Sequence, residues 1–223
     1  MFNGLIYFSI IFTSICILIY NIFVRESDTL LHKDQDMITF NNVLTENEFN
    51  AVSDIVDKYR CKQEHTSKCS TYPLSVPHST KVKDTIIYAV QNELEISMGK
   101  LIEQDKFPAE YRKYHTSSSG MDWHKDKAIY DTLYYECVFT LSNTSDSVFL
   151  YIDQYGNKQT IVTQPNMLIC LTPGTVLHSV SQLTYGEREI IKFTVPFEGC
   201  GNNKNQEYRN ELIKLNVVSS NHI

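Results

Sequence analysis

At Gly99 the hydrophobic period of the chain changes, and this limits what the chain can fold into. Before it, apolar residues recur at helical spacing. After it, short runs rich in Tyr, Val, Ile, Phe and Thr are separated by turn residues, the pattern of half-buried strands. The spacing predicts strands over Glu110 to His115, Thr132 to Leu141, Val148 to Ile152, Thr160 to Val162, Met167 to Leu171, Thr175 to Ser179 and Glu189 to Pro196. Tyr155-Gly156-Asn157-Lys158 and Thr172-Pro173-Gly174-Thr175 supply turns. Upstream, Thr45-Glu46-Asn47-Glu48 forms a capping box ahead of Phe49, Val52, Ile55, Val56 and Tyr59, which predicts an amphipathic helix. A second helix is expected from Thr80 to Ser97, striped by Val82, Ile86, Val90 and Leu94, with residues 61 to 78 as a Cys-, Ser- and Pro-rich loop between the two. Helices followed by a series of short strands predict an α+β chain, an antiparallel double-sheet barrel with the helices packed on one sheet.

The two ends differ from this middle. Met1 to Val24 carries no charged side chain, and Leu5 to Val24 reads LIYFSIIFTSICILIYNIFV. Twenty helical residues at about 1.5 Å each span the ~30 Å hydrocarbon core, so residues 1 to 24 are expected to be a single uncleaved transmembrane signal-anchor. A cleaved signal peptide is the rival reading, although the apolar stretch is long for one and no small-x-small site follows it. Residues 25 to 37 are polar and read as a stalk, 38 to 200 as the folded domain, and 201 to 223 as a polar tail with a helical stretch from Asn205 to Leu215. The basic residues after the anchor are mixed with acidic ones and orient it weakly toward a cytosolic body. Cys61 and Cys69, close enough to pair, and the sequon Asn143-Thr144-Ser145 are compatible with a lumenal one. Cys137 and Cys170, each inside an apolar run, read as small core residues. With 20 Lys and Arg against 26 Asp and Glu, a formal charge of −6 and no extended basic run, no nucleic-acid partner is expected.

The chain lacks a Gly-rich phosphate loop, GxSxG, HExxH and CxxC. What remains is a distribution of histidines. His124-Lys125-Asp126 places an imidazole and a carboxylate on the same side of an extended segment, and His178 ends a later strand-like run. Two histidines and a carboxylate converging from neighbouring strands make the facial triad that holds non-haem Fe(II) and leaves positions open for co-substrate and oxygen. An HxD pair by itself is a weak signal and more often belongs to a solvated loop. Arg188 strengthens the first reading: it follows a Gly turn ten positions after His178, and a guanidinium there could hold the remote carboxylate of a dicarboxylate bidentately.

Taken together, Tyr114, Trp123-His124-Lys125-Asp126 and the stretch Pro173-Gly174 to His178 to Gly186-Glu187-Arg188 resemble the 2-oxoglutarate- and Fe(II)-dependent dioxygenases, in particular the prolyl 4-hydroxylase-like branch. Ile38-Thr39-Phe40-Asn41-Asn42-Val43-Leu44-Thr45, followed by a helix, is similar to that family's entry into its catalytic domain. The resemblance implies a double-stranded β-helix (jelly-roll) core, with Fe(II) on His124, Asp126 and His178. It also implies 2-oxoglutarate paired with Arg188, Tyr114 as a second contact to it, O2 as oxidant and ascorbate as reductant. The expected activity is hydroxylation of a protein or peptide side chain, proline first, with 2-oxoglutarate decarboxylated to succinate. An endoplasmic reticulum enzyme with a lumenal catalytic domain is expected on the same ground. The alternatives are an enzyme of the same fold acting on lysine, a small molecule or a nucleobase, or an inactive membrane-tethered binding module.

Two departures from the family matter. Collagen-type members carry Lys where this chain has Arg188, and the usual Gly-Gly-Glu-Thr stretch is replaced around Ser145 to Phe149. Lys192, on the same strand face as Arg188, is a reserve partner for the carboxylate. His65 and His115 read as surface histidines, and Tyr130, Tyr134, Tyr135 and Tyr151 as packing residues with bonded hydroxyls. Trp123 reads equally as a substrate contact or as a wedge against the core.

Overall fold

The computed structural model describes residues 30–33, 36–60, 69–101, 107–116, 118–129 and 133–198. In chain order its elements are β1 (Leu30–Lys33), β2 (Met37–Phe40), α1 (Glu46–Arg60), β3 (Ser70–Pro73), α2 (Val76–Met98), β4 (Glu110–His115) and β5 (Met121–His124). They continue with β6 (Tyr134–Asn143), β7 (Phe149–Ile152), β8 (Lys158–Ile161), β9 (Met167–Leu171), β10 (His178–Val180) and β11 (Glu187–Pro196). The strands form a seven-stranded sheet, β1-β2-β9-β6-β11-β4-β3, and a four-stranded one, β5-β10-β7-β8, with every pairing antiparallel. Two such sheets match the antiparallel double-sheet barrel expected from the strand pattern and are consistent with a jelly-roll core.

Alternation along the strands separates two larger buried clusters, with a smaller third one of Cys69, Tyr114, Leu183 and Ile190. Cys137, Phe139 and Leu141 on β6, with Ile191, Phe193 and Val195 on β11, join Val52, Val56, Val82, Ile86, Val90 and Leu94 of the helices in one buried cluster. The helices therefore cover one face of the larger sheet. Met37, Met167, Ile169 and Leu171 on its other face pack against Phe149, Tyr151 and Val180 of the smaller sheet. On that inner face of β6 and β11, however, charged and polar residues alternate with the outward apolar ones: Glu136 and Thr140, and Arg188, Lys192 and Thr194. A strand buried on both faces yet polar on one is the first structural sign of a site inside the barrel.

The first helix follows its capping box closely. Thr45 N and Oγ1 donate to Glu48 Oε2 at 2.8 and 2.7 Å, and Glu48 N donates back to Thr45 Oγ1 at 3.4 Å. The second begins at Val76 rather than Thr80, because Pro77 fits a first helical turn, where no N–H is needed. Four short strands were not anticipated, among them β2, which pairs with β9. Leu30–Lys33, placed in the stalk, pairs with β2 as an edge of the larger sheet, and Ser70–Pro73 in the Cys-rich loop pairs with β4. β5, which carries His124, pairs with β10. Each is four residues long, too short for a period to show. The strand expected from Thr175 starts at His178 instead, since Thr175 Oγ1 closes the preceding turn on Thr172 O at 2.7 Å.

Among the described residues no helix is long and apolar enough to cross a membrane. The predicted anchor, the tail helix, Cys61 and with it the Cys61–Cys69 pairing lie outside the described residues. Cys137 and Cys170 are fully buried register partners on β6 and β9, as core residues should be.

Candidate metal centre

His124 ends β5 and His178 begins β10, and the register of these neighbouring strands sets the two residues directly opposite each other, with ring centroids 4.3 Å apart. Asp126 lies two residues beyond the end of β5. Its Oδ1 is 3.7 Å from His124 Nε2 and its Oδ2 is 3.5 Å from His178 Nε2, and one ligand atom from each of the three residues falls within 4.8 Å of the others. The segment after β5 is tied down where Ile129 N donates to Tyr134 Oη at 2.6 Å.

The ring orientations are set by backbone carbonyls. His124 Nδ1 lies 2.7 Å from Asp122 O, and His178 Nδ1 lies 3.1 Å from Val176 O. A carbonyl only accepts, so each Nδ1 carries the proton and each Nε2 turns a lone pair to the centre of the cluster. His124 Nε2 is buried with no hydrogen-bond partner among the described residues. Burial also holds the His178 imidazole below its ordinary pKa, despite the opposing pull of Asp126, and so favours the neutral ring. Two neutral imidazoles and a carboxylate, with one ring nitrogen left unsatisfied, suit a divalent cation of the Fe(II) type.

Asp126 owes its charge to its neighbours. Burial works against ionisation, but Lys192, His178, a hydrogen bond with Glu136, and His124 outweigh it and hold the carboxyl below its ordinary pKa. Lys192 Nζ is 3.6 Å from Asp126 Oδ1 and 2.6 Å from Glu136 Oε2. Glu136 is pushed up to about 7, chiefly by burial, with Lys192 opposing. Arg112 pairs with Glu110 at 3.0 Å through Nε and 2.5 Å through Nη2, and Glu110 is the register partner of Lys192, which adds a second charged pair on this inner wall.

Arg188 is in a different situation. It is 2% exposed, and its guanidinium lies 5.9 Å from the ring centroid of Tyr114, its register partner on β4. Its Nε has no hydrogen-bond partner, and no carboxylate among the described residues compensates its charge. Burying a guanidinium unpaired is costly, so an anion would be favoured at this position. The strand start that carries it depends on Gly186, at φ 71°, where an added Cβ would run into the Thr144 backbone. Gly186→Ala is expected to displace Arg188 and raise the KM for a dicarboxylate co-substrate while leaving metal affinity near that of the unmodified chain, measured by separate titrations of each.

No family model and no curated protein matches the chain. Solved structures do. A prolyl 4-hydroxylase from Pseudomonas putida is similar at a TM-score of 0.53 and 13% identity, over 74% of this chain and 94% of that one. HygX from Streptomyces hygroscopicus, solved with nickel and 2-oxoglutarate bound, is similar at 0.55 and 10%, over 83% and 89%. A prolyl hydroxylase from Trichoplax adhaerens, solved with a hypoxia inducible factor peptide, is similar at 0.57 and 12%, over 74% and 84%. The fold is that of the 2-oxoglutarate- and Fe(II)-dependent oxygenases. Within this oxygenase fold the structure brings His124, Asp126 and His178 together, and sets Arg188 beside Tyr114.

Lys192 requires a correction. It shares the inner face of β11 with Arg188, but its ammonium is engaged by Glu136 and Asp126 and is not free for a co-substrate carboxylate. Glu136 was missed altogether; the available signal was a lone carboxylate in the apolar run Tyr134-Tyr135-Glu136-Cys137-Val138-Phe139. Tyr134 and Tyr135 use their hydroxyls as packing residues do, on Ile129 N and on Ser97 Oγ at 2.9 Å. Trp123 is 41% exposed with Lys158 Nζ 5.6 Å from its ring centroid, so it is not a wedge in the core. His65 and Tyr130 lie outside the described residues.

Proposed function

We propose that this chain is a 2-oxoglutarate- and Fe(II)-dependent dioxygenase that hydroxylates a side chain of a protein or peptide, proline being the first choice. The observation that carries the reading is the pairing, in one barrel, of two features unsatisfied among the described residues: a His124, Asp126, His178 cluster with an orphaned ring nitrogen, and a buried Arg188 with no carboxylate partner. His124, Asp126 and His178 would hold the iron, and Arg188 with Tyr114 would receive the far carboxylate of 2-oxoglutarate. Bound there, the metal and co-substrate supply the oxidation by O2, with succinate as co-product and ascorbate as the reductant that keeps the iron ferrous. The chain orients the ligands, clamps the carboxylate and keeps water from the interior. The peptide-bound prolyl hydroxylase among the similar structures supports a peptide substrate.

A second reading has its own observation. The Arg112–Glu110 and Lys192–Glu136 pairs place charged groups on the inner wall, and HygX has been solved with hygromycin B bound, which favours a small polar substrate. One experiment separates the two. The purified full chain is supplied with Fe(II), 2-oxoglutarate and ascorbate, succinate formation is measured, and peptide and small-molecule pools are searched by mass spectrometry for gain of one oxygen atom. An oxygenated peptide supports the first reading and an oxygenated small molecule the second. Absence of Fe(II)-dependent succinate formation would overturn both and leave the binding module.

The membrane anchor over residues 1 to 24 and a lumenal catalytic domain are part of the same proposal. The full chain is expected to stay in the membrane fraction after alkaline carbonate washing, because some twenty buried apolar residues far outweigh peripheral attachment. A mature N-terminus downstream of Val24 would convert the segment to a signal peptide. A glycan at Asn143 is not expected on either side of the membrane. The Asn143 amide already donates to Thr163 O at 3.1 Å and Thr163 Oγ1 at 3.0 Å.

A further inference from the structure

The inner face of β11 carries two cations, Arg188 buried and Lys192 partly buried, and they are compensated differently. Among the described residues Arg188 has no carboxylate partner, whereas Lys192 bridges Glu136 Oε2 at 2.6 Å and Asp126 Oδ1 at 3.6 Å. Asp126 lies outside the strands, so no ladder of backbone hydrogen bonds fixes its direction, and among the described residues no backbone N–H donates to its carboxylate. Lys192, by contrast, projects from the middle of β11, which is paired on one side with β4 and on the other with β6. Its long side chain would have many rotamers if left free; Glu136, from the neighbouring strand, selects one of them.

We infer that Lys192, held by Glu136, is a positioning residue for the Asp126 carboxylate, fixing the acidic ligand of the metal site from the rigid centre of the larger sheet. The inference rests on the metal reading of His124, Asp126 and His178. It divides the work of the two cations: Arg188 serves an anion that comes from outside, and Lys192 serves a carboxylate of the chain itself. Outer partners that orient ligating groups commonly change metal affinity by about 10- to 100-fold when removed.

The test uses the full chain and Co(II), which binds such sites and reports its ligand geometry through visible absorption. Lys192→Met is expected to weaken Co(II) binding by about 10- to 100-fold and to alter the absorption bands. Lys192→Arg should restore most of the affinity, because the charge still reaches Asp126. Since Lys192→Met alone leaves Glu136 without its counter-ion, the double variant Lys192→Met with Glu136→Gln is titrated beside it and should show the same loss. Binding of 2-oxoglutarate at saturating Co(II) should change little in all three. Unaltered Co(II) affinity and spectrum in both the single and double variants would overturn the inference. So would intact Co(II) binding with loss of 2-oxoglutarate, which would make Lys192 a second anion clamp. If the unmodified chain bound no Co(II), the metal reading itself would fail, and this inference with it.

Discussion

Replacing His124 with Ala is expected to abolish Fe(II)-dependent turnover of 2-oxoglutarate and to remove high-affinity Co(II) binding. The reason is geometric: its Nε2 is buried without a hydrogen-bond partner and is turned to the centre of the cluster by the Asp122 carbonyl. Loss of one of three protein ligands leaves two, too few to hold the ion in an open site. Asp126→Ala and His178→Ala should do the same, but they are less clean. Asp126→Ala leaves Lys192 and Glu136 facing a void, and His178 stacks on Phe149 at 5.4 Å within the smaller sheet, so its removal also costs packing. The thermal unfolding of each variant is therefore measured beside its metal affinity. Normal turnover by a well-folded His124→Ala protein would end the assignment.

The second large effect is expected at Arg188. Removing a buried guanidinium that would make two charge-assisted hydrogen bonds to the co-substrate carboxylate should raise the KM for 2-oxoglutarate by at least about a hundredfold, equivalent to roughly 2.7 kcal/mol. Arg188→Lys should keep part of the affinity, since the charge remains while the planar fork is lost. Metal affinity in the absence of co-substrate should be unchanged in both. The stability effect has the opposite sign to what usually follows from breaking an ion pair. With no carboxylate among the described residues to strand, Arg188→Ala should leave the unliganded fold as stable as before or slightly more so. A KM within a few-fold of the unmodified value would remove Arg188 from the co-substrate site.

Much of this was legible in one dimension because it is local. The capping box and the Phe49 to Tyr59 stripe specify α1 without reference to any other segment, and the alternation of the long strands β6 and β11 shows in ten residues each. His124 and Asp126 are two positions apart, so their shared side follows from backbone geometry alone. The short strands β1, β3 and β5 gave no such signal, since four residues form a strand only when a partner already presents its edge.

The sequence by itself determined the helices, the long strands and which residue types are available for a metal and an anion. The tertiary structure alone decided that His178 faces His124, that Tyr114 lies across from Arg188, and that Lys192 is bound by Glu136 and Asp126 rather than free. The physical reason is register. Side chains in a strand alternate faces, so a shift of one residue between β6 and β11 would move Glu136 from the interior to the helix-covered face and leave Lys192 without its counter-ion. That register is set by the sum of long-range packing and pairing, which no single stretch of sequence contains.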